Sequence, residues 1–280
     1  IKKNGESYYL ISEEKRREMV KRSVAAITDI YQNSILKDSS RNSFMIKRME
    51  DLADRTIWAM GEQLKCGDFV PFEFEHKFNM EVGDGDRKQL MSGTIDRVDI
   101  CENGTDVYVR IIDYKTGKKD FNIVKTYYGI DIQLMVYMEA AMKLVAKMRP
   151  GKNVIPAGVF YYNISDPIVS ATTESAEEIE DKIKGELRLK GMVNSDKDIA
   201  EKMDNTEGTS LNIPVSRKAD GGFDSRRSKV MNTEQFNMLG RFVDVRAVDT
   251  ADRIAGGDIR RSPYKDGQFS SCDRCPYGAV

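Results

Sequence analysis

Gly93-Thr94-Ile95-Asp96-Arg97-Val98-Asp99-Ile100, then Cys101-Glu102-Asn103-Gly104-Thr105-Asp106, then Val107-Tyr108-Val109-Arg110-Ile111-Ile112-Asp113-Tyr114-Lys115, is the stretch whose reading decides the fold. Two β-rich runs flank Asn-Gly, the strongest short-range hairpin signal in a sequence. With Asn103 and Gly104 as the turn residues, Asp96 falls opposite Ile111 and Thr94 opposite Asp113. Side chains alternate along a strand, and directly opposed residues share a face. Val98, Ile100, Val107, Val109 and Ile111 therefore form one apolar face. Asp96, Asp113 and Lys115 lie on the same face, at the end away from the turn.

That end departs from core chemistry, because buried charge is costly unless it is paired or bound to a metal. In this register Asp96 and Asp113 are diagonal neighbours, roughly 7–8 Å apart between Cα atoms. Both carboxylates then reach one hard cation; Mg²⁺ takes one or two carboxylates and keeps several waters. Lys115, two residues beyond Asp113, enters the same pocket, where an ammonium holds an attacking water or neutralises charge developing on a phosphate. The competing reading of the hairpin alone is a half-exposed ribbon with a surface Asp–Lys ion pair. A register slip of one residue would abolish the geometry altogether.

Composition narrows the class. The chain has 280 residues, 40% of them apolar and 32% charged, with a formal net charge of −1. The signs cancel, so a wholesale basic footprint for nucleic acid is absent and any phosphate contact must be local. No apolar run reaches membrane-spanning length and no signal peptide opens the chain. Four Cys imply no disulfide scaffold, so the cytoplasm is the expected location. The single His, His76, excludes a His-rich zinc site, and no phosphate-loop motif of a nucleotide motor occurs.

Around the hairpin, periodicity predicts helices over about 12–36 and 43–64, and a strand over 69–80. The first helix would pack through Met19, Val20, Ile27 and Ile30. The strand places Phe72, Phe74, His76 and Phe78 on one face, with Glu75 opposite as a solvated residue or a third acid. After Lys115, the loop residues Lys118 and Lys119, with Lys125 soon after, suit a phosphate backbone or a solvated loop equally. A helix over 130–147 carries Gln133 and Tyr137 four apart, hence on one face. A strand over 154–164 follows, then a helix over 174–189 with Gly191 as its C-terminal cap. Residues 211–230 read as a polar hairpin with Arg217, Lys218, Arg226, Arg227 and Lys229, a second candidate for DNA contact. A last helix runs from Asn232 or Thr233 to about Ile254. Strand, helix, strand after a hairpin indicates an α/β sheet. The 280 residues read as a single domain: N-terminal helices to 66, a catalytic sheet and helix over 67–165, and a helical and hairpin region from 166. Near the end, Cys272 and Cys275 form a C-x-x-C, half of a zinc or iron–sulfur site.

The runs G-T-I-D-R-V-D, I-I-D-Y-K-T-G and Y-Y-G-x-x-x-Q-L-x-x-Y resemble the RecB-type branch of the PD-(D/E)XK nucleases. With P-A-G-V-F-Y-Y-N-I-S-D-P and C-D-R-C-P-Y, they are similar in particular to AddB, the B-subunit family of the AddAB helicase–nucleases. The resemblance extends from about Ser43 to the last residue. It implies a restriction-endonuclease-like α/β fold and Mg²⁺- or Mn²⁺-dependent hydrolysis of DNA, as an exonuclease serving double-strand break repair and recombination. It also implies a helicase–nuclease A subunit as partner. By the resemblance Asp96 and Asp113 are metal ligands, joined by the backbone carbonyl of Tyr114. Lys115 is then the catalytic lysine, and Gln133 and Tyr137 match the family's Q-x-x-x-Y motif. Two departures stand out. Nothing before Asp96 matches the family's G-x-x-x-H metal-binding helix. Cys272 and Cys275 match only the middle two of the four Cys that hold a [4Fe-4S] cluster in related B subunits, and the last would fall just past Val280. An excised domain without its cluster is the expectation. The alternative in a different class is a catalytically silent DNA-binding or scaffolding module on the same fold.

Overall fold

The computed structural model describes residues 11–30, 39–82, 88–170, 173–260, 262–267 and 269–275. The chain runs α1 (Glu13–Ile30), α2 (Ser40–Lys65), β1 (Val70–Val82), β2 (Gln89–Asn103), β3 (Asp106–Lys115), α3 (Ile123–Tyr127), α4 (Gln133–Met148) and β4 (Asn153–Asn163). It continues with α5 (Ala176–Glu186), β5 (Lys190–Asn194), α6 (Lys197–Met203), β6 (Val230–Met231), α7 (Thr233–Ala255), β7 (Lys265–Asp266) and β8 (Phe269–Ser270). Strands β1 to β6 make one mixed sheet in sequence order, parallel at β3/β4 and β5/β6 and antiparallel elsewhere. A parallel pair needs a crossover, and α4 supplies the one between β3 and β4. This is the expected α/β class.

The sheet is buried on both faces, which is why its central strands are nearly continuous apolar runs. On one face Val98, Ile100, Val107, Val109 and Ile111 pack with Leu134, Met138, Ala141 and Val145 of α4 and with Phe236 and Val243 of α7. On the other, Cys101, Tyr108, Ile112 and Phe160 pack with Ala59 of α2 and with Ile199, Ala200 and Met203 of α6.

The hairpin register differs from expectation by two residues. Asn103 pairs with Asp106, so Gly104 and Thr105 are the turn, and Gly104 takes the positive φ of 59° that it demands. A slip of two preserves every face, so the apolar row stands as read. It changes the acids: the last pair is Arg97↔Ile112, and just beyond it the Asp96 carboxylate reaches the backbone of Tyr114, next to Asp113.

The ladder is irregular at that level. Ile95 and Val98 stand three apart yet enter the same core, so the alternation of β2 slips once between them. Beside the slip, β1 passes from Phe74↔Arg97 to His76↔Ile95. Glu75 between them has φ 49°, the one positive value for a non-glycine among the described residues. Such backbone costs on the order of 1–3 kcal/mol and clusters at functional sites. Glu75 itself is exposed.

Other readings shift. α1 buries Val20, Val24 and Thr28, whereas Ile27 and Ile30 are exposed, because only a narrow stripe of this charged helix meets α2. Gly191 is no helix cap: α5 ends at Leu187, and Gly191 lies in β5 where a Cβ would stand 2.0 Å from the Val159 carbonyl oxygen. In the segment 211–230 the hairpin is short, an antiparallel bridge Arg217↔Phe223 closing around Asp220-Gly221-Gly222, and the rest is irregular and partly buried. Its Ile213 and Val215 join the core, and Arg217 donates to the carbonyls of Ala200, Asp204 and Thr206. That guanidinium braces the fold.

Candidate active site

The site forms where β3 and β4 end, beside the middle of β2 and the first turn of α4. Asp113 is 2% exposed, held on the central strand pair, and its neighbour Lys115 is on the same face. Asp96 reaches across: its Oδ2 accepts the Tyr114 N–H at 2.7 Å, tying the two acid-bearing strands together. Oδ2 of Asp113, buried, lies against the Lys115 ammonium as an ion pair. Burial pushes the Asp113 carboxyl above its ordinary 3.8; Lys115 opposes that rise and Asp96 adds to it.

Lys115 is fixed from α4. Its Nζ donates to Gln133 Oε1 at 3.0 Å, and Gln133 Nε2 donates to Tyr137 Oη at 2.9 Å. Gln133 opens the helix, so the i, i+4 spacing to Tyr137 sets this relay at its start. Tyr137 meets Phe78 edge-on, with centroids 5.8 Å apart. Gly93 leaves room for that pair, since a Cβ there would stand 2.9 Å from the Phe78 ring.

Sequence reading missed the floor and the loop anchor. Tyr161, fully buried, pairs with Asp113 across β3/β4, and the Nζ atoms of Lys115 and Lys119 lie 5.6 and 5.4 Å from its ring centroid. Its hydroxyl donates to Asp131 at 2.7 Å, and Asp131 also pairs with Lys119 at 3.1 Å. Lys119 is thus neutralised within the chain. Asn163 clamps the Lys119 backbone at both its N–H and its carbonyl, 3.0 Å each. Lys118 is exposed on the loop, while Lys125 is partly buried on α3. The signal for Tyr161 was its place in the strand that follows the crossover. The parallel register that brings it beside Asp113 is not written locally.

A model of the PD-(D/E)XK nuclease superfamily matches residues 6–280. The chain belongs to that superfamily. It is 36% identical over 257 residues to the B subunit of the ATP-dependent helicase/deoxyribonuclease of Clostridium botulinum, covering 88% of this chain and 22% of that protein. Against the corresponding B subunit of Caldanaerobacter subterraneus it is 35% identical over 268 residues, 92% of this chain and 23% of the relative. With that of Lachnoclostridium phytofermentans the figure is 33% over 284 residues, 98% and 24%. The chain spans less than a quarter of the length of these relatives. Their names bear out the resemblance to the B-subunit family, and the sheet bears out the fold.

Asp96, Asp113 and Lys115 stand in one constellation. Two neighbouring carboxylates, one of them buried, with a single ammonium to balance their charge, fit a hard divalent cation. Among the described residues no group of three or more His, Cys, Asp or Glu gathers around any point, so further ligands would be backbone or water. The Tyr114 side chain turns to the opposite face, where its hydroxyl meets Arg97 at 3.4 Å and Met60 Sδ at 3.2 Å. Cys272 and Cys275 are both exposed on one short turn. Cys101 is buried in the core and Cys66 caps α2, so neither completes a four-thiolate set with them. These residues do not by themselves fit an iron–sulfur cluster. No helix among the described residues is long and apolar enough to cross a membrane.

Proposed function

We propose that this chain is the DNA-cleaving domain of a helicase–nuclease B subunit, hydrolysing phosphodiesters as a Mg²⁺- or Mn²⁺-dependent exonuclease in double-strand break repair. The observation that carries it is the gathering of two carboxylates and one ammonium at a buried point: Asp113 is ion-paired to Lys115, and Asp96 is tied to the Tyr114 N–H beside them. Asp96 and Asp113, with the Tyr114 carbonyl, would hold the cation. When bound, the cation supplies Lewis acidity toward the phosphate and a more acidic water. The residues of the chain do the rest. Lys115, oriented by Gln133, places a positive charge where negative charge grows on the phosphoryl oxygens. Tyr137 fixes the rotamer of Gln133, so the ammonium is aimed before substrate arrives. Lys118, Lys119 and Lys125 border the path of the DNA backbone. In the whole protein an A subunit would be the partner, an iron–sulfur cluster would engage Cys272 and Cys275, and the setting would be the cytoplasm.

The test is cleavage of labelled DNA with Mg²⁺ or Mn²⁺ against EDTA, in the wild-type chain and in Asp96→Ala and Asp113→Ala. Metal-dependent cleavage lost in both variants is expected, with metal affinity by calorimetry lost alongside. Undiminished cleavage in both would sink the site. DNA binding without cleavage under any metal would turn the reading toward a silent scaffold.

A further inference from the structure

The catalytic row does not stop at Tyr161. Lys190 opens β5 and pairs with Tyr161, which pairs in turn with Asp113, so all three share one face of the sheet. Lys190 stands two strands from Asp113, about 10 Å between backbones at ordinary strand spacing. It lines a cavity of about 560 Å³ with Lys118, Lys119 and Asn163. Half-buried, it forms no ion pair among the described residues. The acids near it are Asp120, already bound by Lys229, and Glu186, exposed on the cavity wall. Arg188, two residues back, adds a second positive charge with a buried Nε that has no acceptor. A desolvated ammonium without a counter-ion is costly to maintain. Here it is kept beside the Arg188 guanidinium, at the end of a row that begins with the acids of the proposed site.

From this arrangement we infer that Lys190, with Lys118 across the cavity, binds a backbone phosphate of the DNA strand next to the one being cleaved. The inference rests on the nuclease reading and extends it to the substrate path. The site reads backbone and not base, because its donors are ammonium groups that bind as point charges. Burial, with Arg188 next in importance, holds the Lys190 ammonium below its ordinary 10.5, the direction an anion would reverse.

The experiment is salt-dependent binding of a fluorescent single-stranded oligothymidylate to the 280-residue chain in EDTA, where nothing is cleaved. Each phosphate contact on single-stranded DNA contributes about 0.7 to the slope of log K against log salt. Lys190→Met keeps the apolar stem and removes the charge. It should flatten the slope by about 0.7 and weaken binding roughly fivefold at 0.1 M salt. Lys190→Arg should restore both. The Met variant should melt no lower than wild type, since it relieves an uncompensated charge. A slope and affinity equal to wild type in Lys190→Met would overturn the inference, whatever the cleavage assay gives. Cleavage persisting in Asp113→Ala would instead overturn the nuclease reading, and a wild-type chain that binds no DNA would overturn both.

Discussion

The two faces of one hairpin treat charge in opposite ways. On the face away from the site, Arg97, Asp99 and Arg110 are 1%, 0% and 1% exposed, and every charge is answered. Arg97 grips Asp99 with two bonds of 2.6 and 2.7 Å, and Arg110 Nε adds a third at 2.9 Å. The Arg110 guanidinium also lies 4.9 Å from the Phe69 ring centroid, a cation–π contact that compensates its surplus charge. On the other face, Asp96 and Asp113 lie together with Lys115 as the one ammonium between two carboxylates, Asp113 paired to it and Asp96 held by the Tyr114 N–H. Both sets come from alternating positions of the same strands. The first set holds surplus positive charge with a carboxylate and an aromatic face; the second holds surplus negative charge, the sign that suits a cation.

The same substitution on each face is the sharpest way to break this contrast. Asp99→Asn strands two buried guanidiniums and should cost about 3–5 kcal/mol of stability. Asp113→Asn relieves repulsion with Asp96, so in EDTA its melting temperature should equal or exceed that of wild type while metal binding is lost. Denaturant melts of both variants decide it, and equal destabilisation would erase the distinction. The pH dependence has a definite sign. Burial alone would raise the Asp99 carboxyl, but Arg97 and Arg110 outweigh it and hold the group below its ordinary 3.8. Its stabilisation is therefore fully present above 3.8 and is lost as pH falls through the lowered value. The gap between wild type and Asp99→Asn should close in that acid range.

Lys115→Ala sharpens the other side. Its charge is needed in the transition state more than in the ground state. The rate should fall roughly 10²-fold or more, the scale on which one oxyanion donor is lost, with DNA affinity nearly intact. Lost affinity with retained cleavage would make Lys115 a phosphate clamp. The smallest effect is reserved for the relay behind it. Tyr137→Phe removes the acceptor of Gln133 Nε2, a neutral hydrogen bond contributing about 1 kcal/mol. That corresponds to roughly a fivefold loss in kcat with KM held, and an unchanged kcat would show that Gln133 needs no such lock.

What was legible locally followed from period and turn chemistry. The apolar row of the hairpin, the placement of Asp113 and Lys115 on its face, and the Gln133–Tyr137 pair all depend on residues within one or two elements. The register was read two residues short, because Asn-Gly signals a hairpin without fixing which two residues sit at its tip. The pairing itself places Gly104 first. Arg97, Asp99 and Arg110 gave no local sign of burial. Charges alternating on the far face of a ribbon look solvated until α2, α6 and Phe69 cover them.

The sequence by itself determined the α/β class, the common face of Asp113 and Lys115 and the common face of Gln133 and Tyr137, since side-chain alternation and helical spacing act over a few residues. Only the tertiary structure decided the bond from Asp96 to the Tyr114 backbone, the buried triad beneath the acids, and the row from Asp113 through Tyr161 to Lys190. Those depend on strand order and on the slip beside Glu75. The physical reason is that pairing between strands separated by a helix and dozens of residues is set by how both sheet faces fill, and no single segment carries that information.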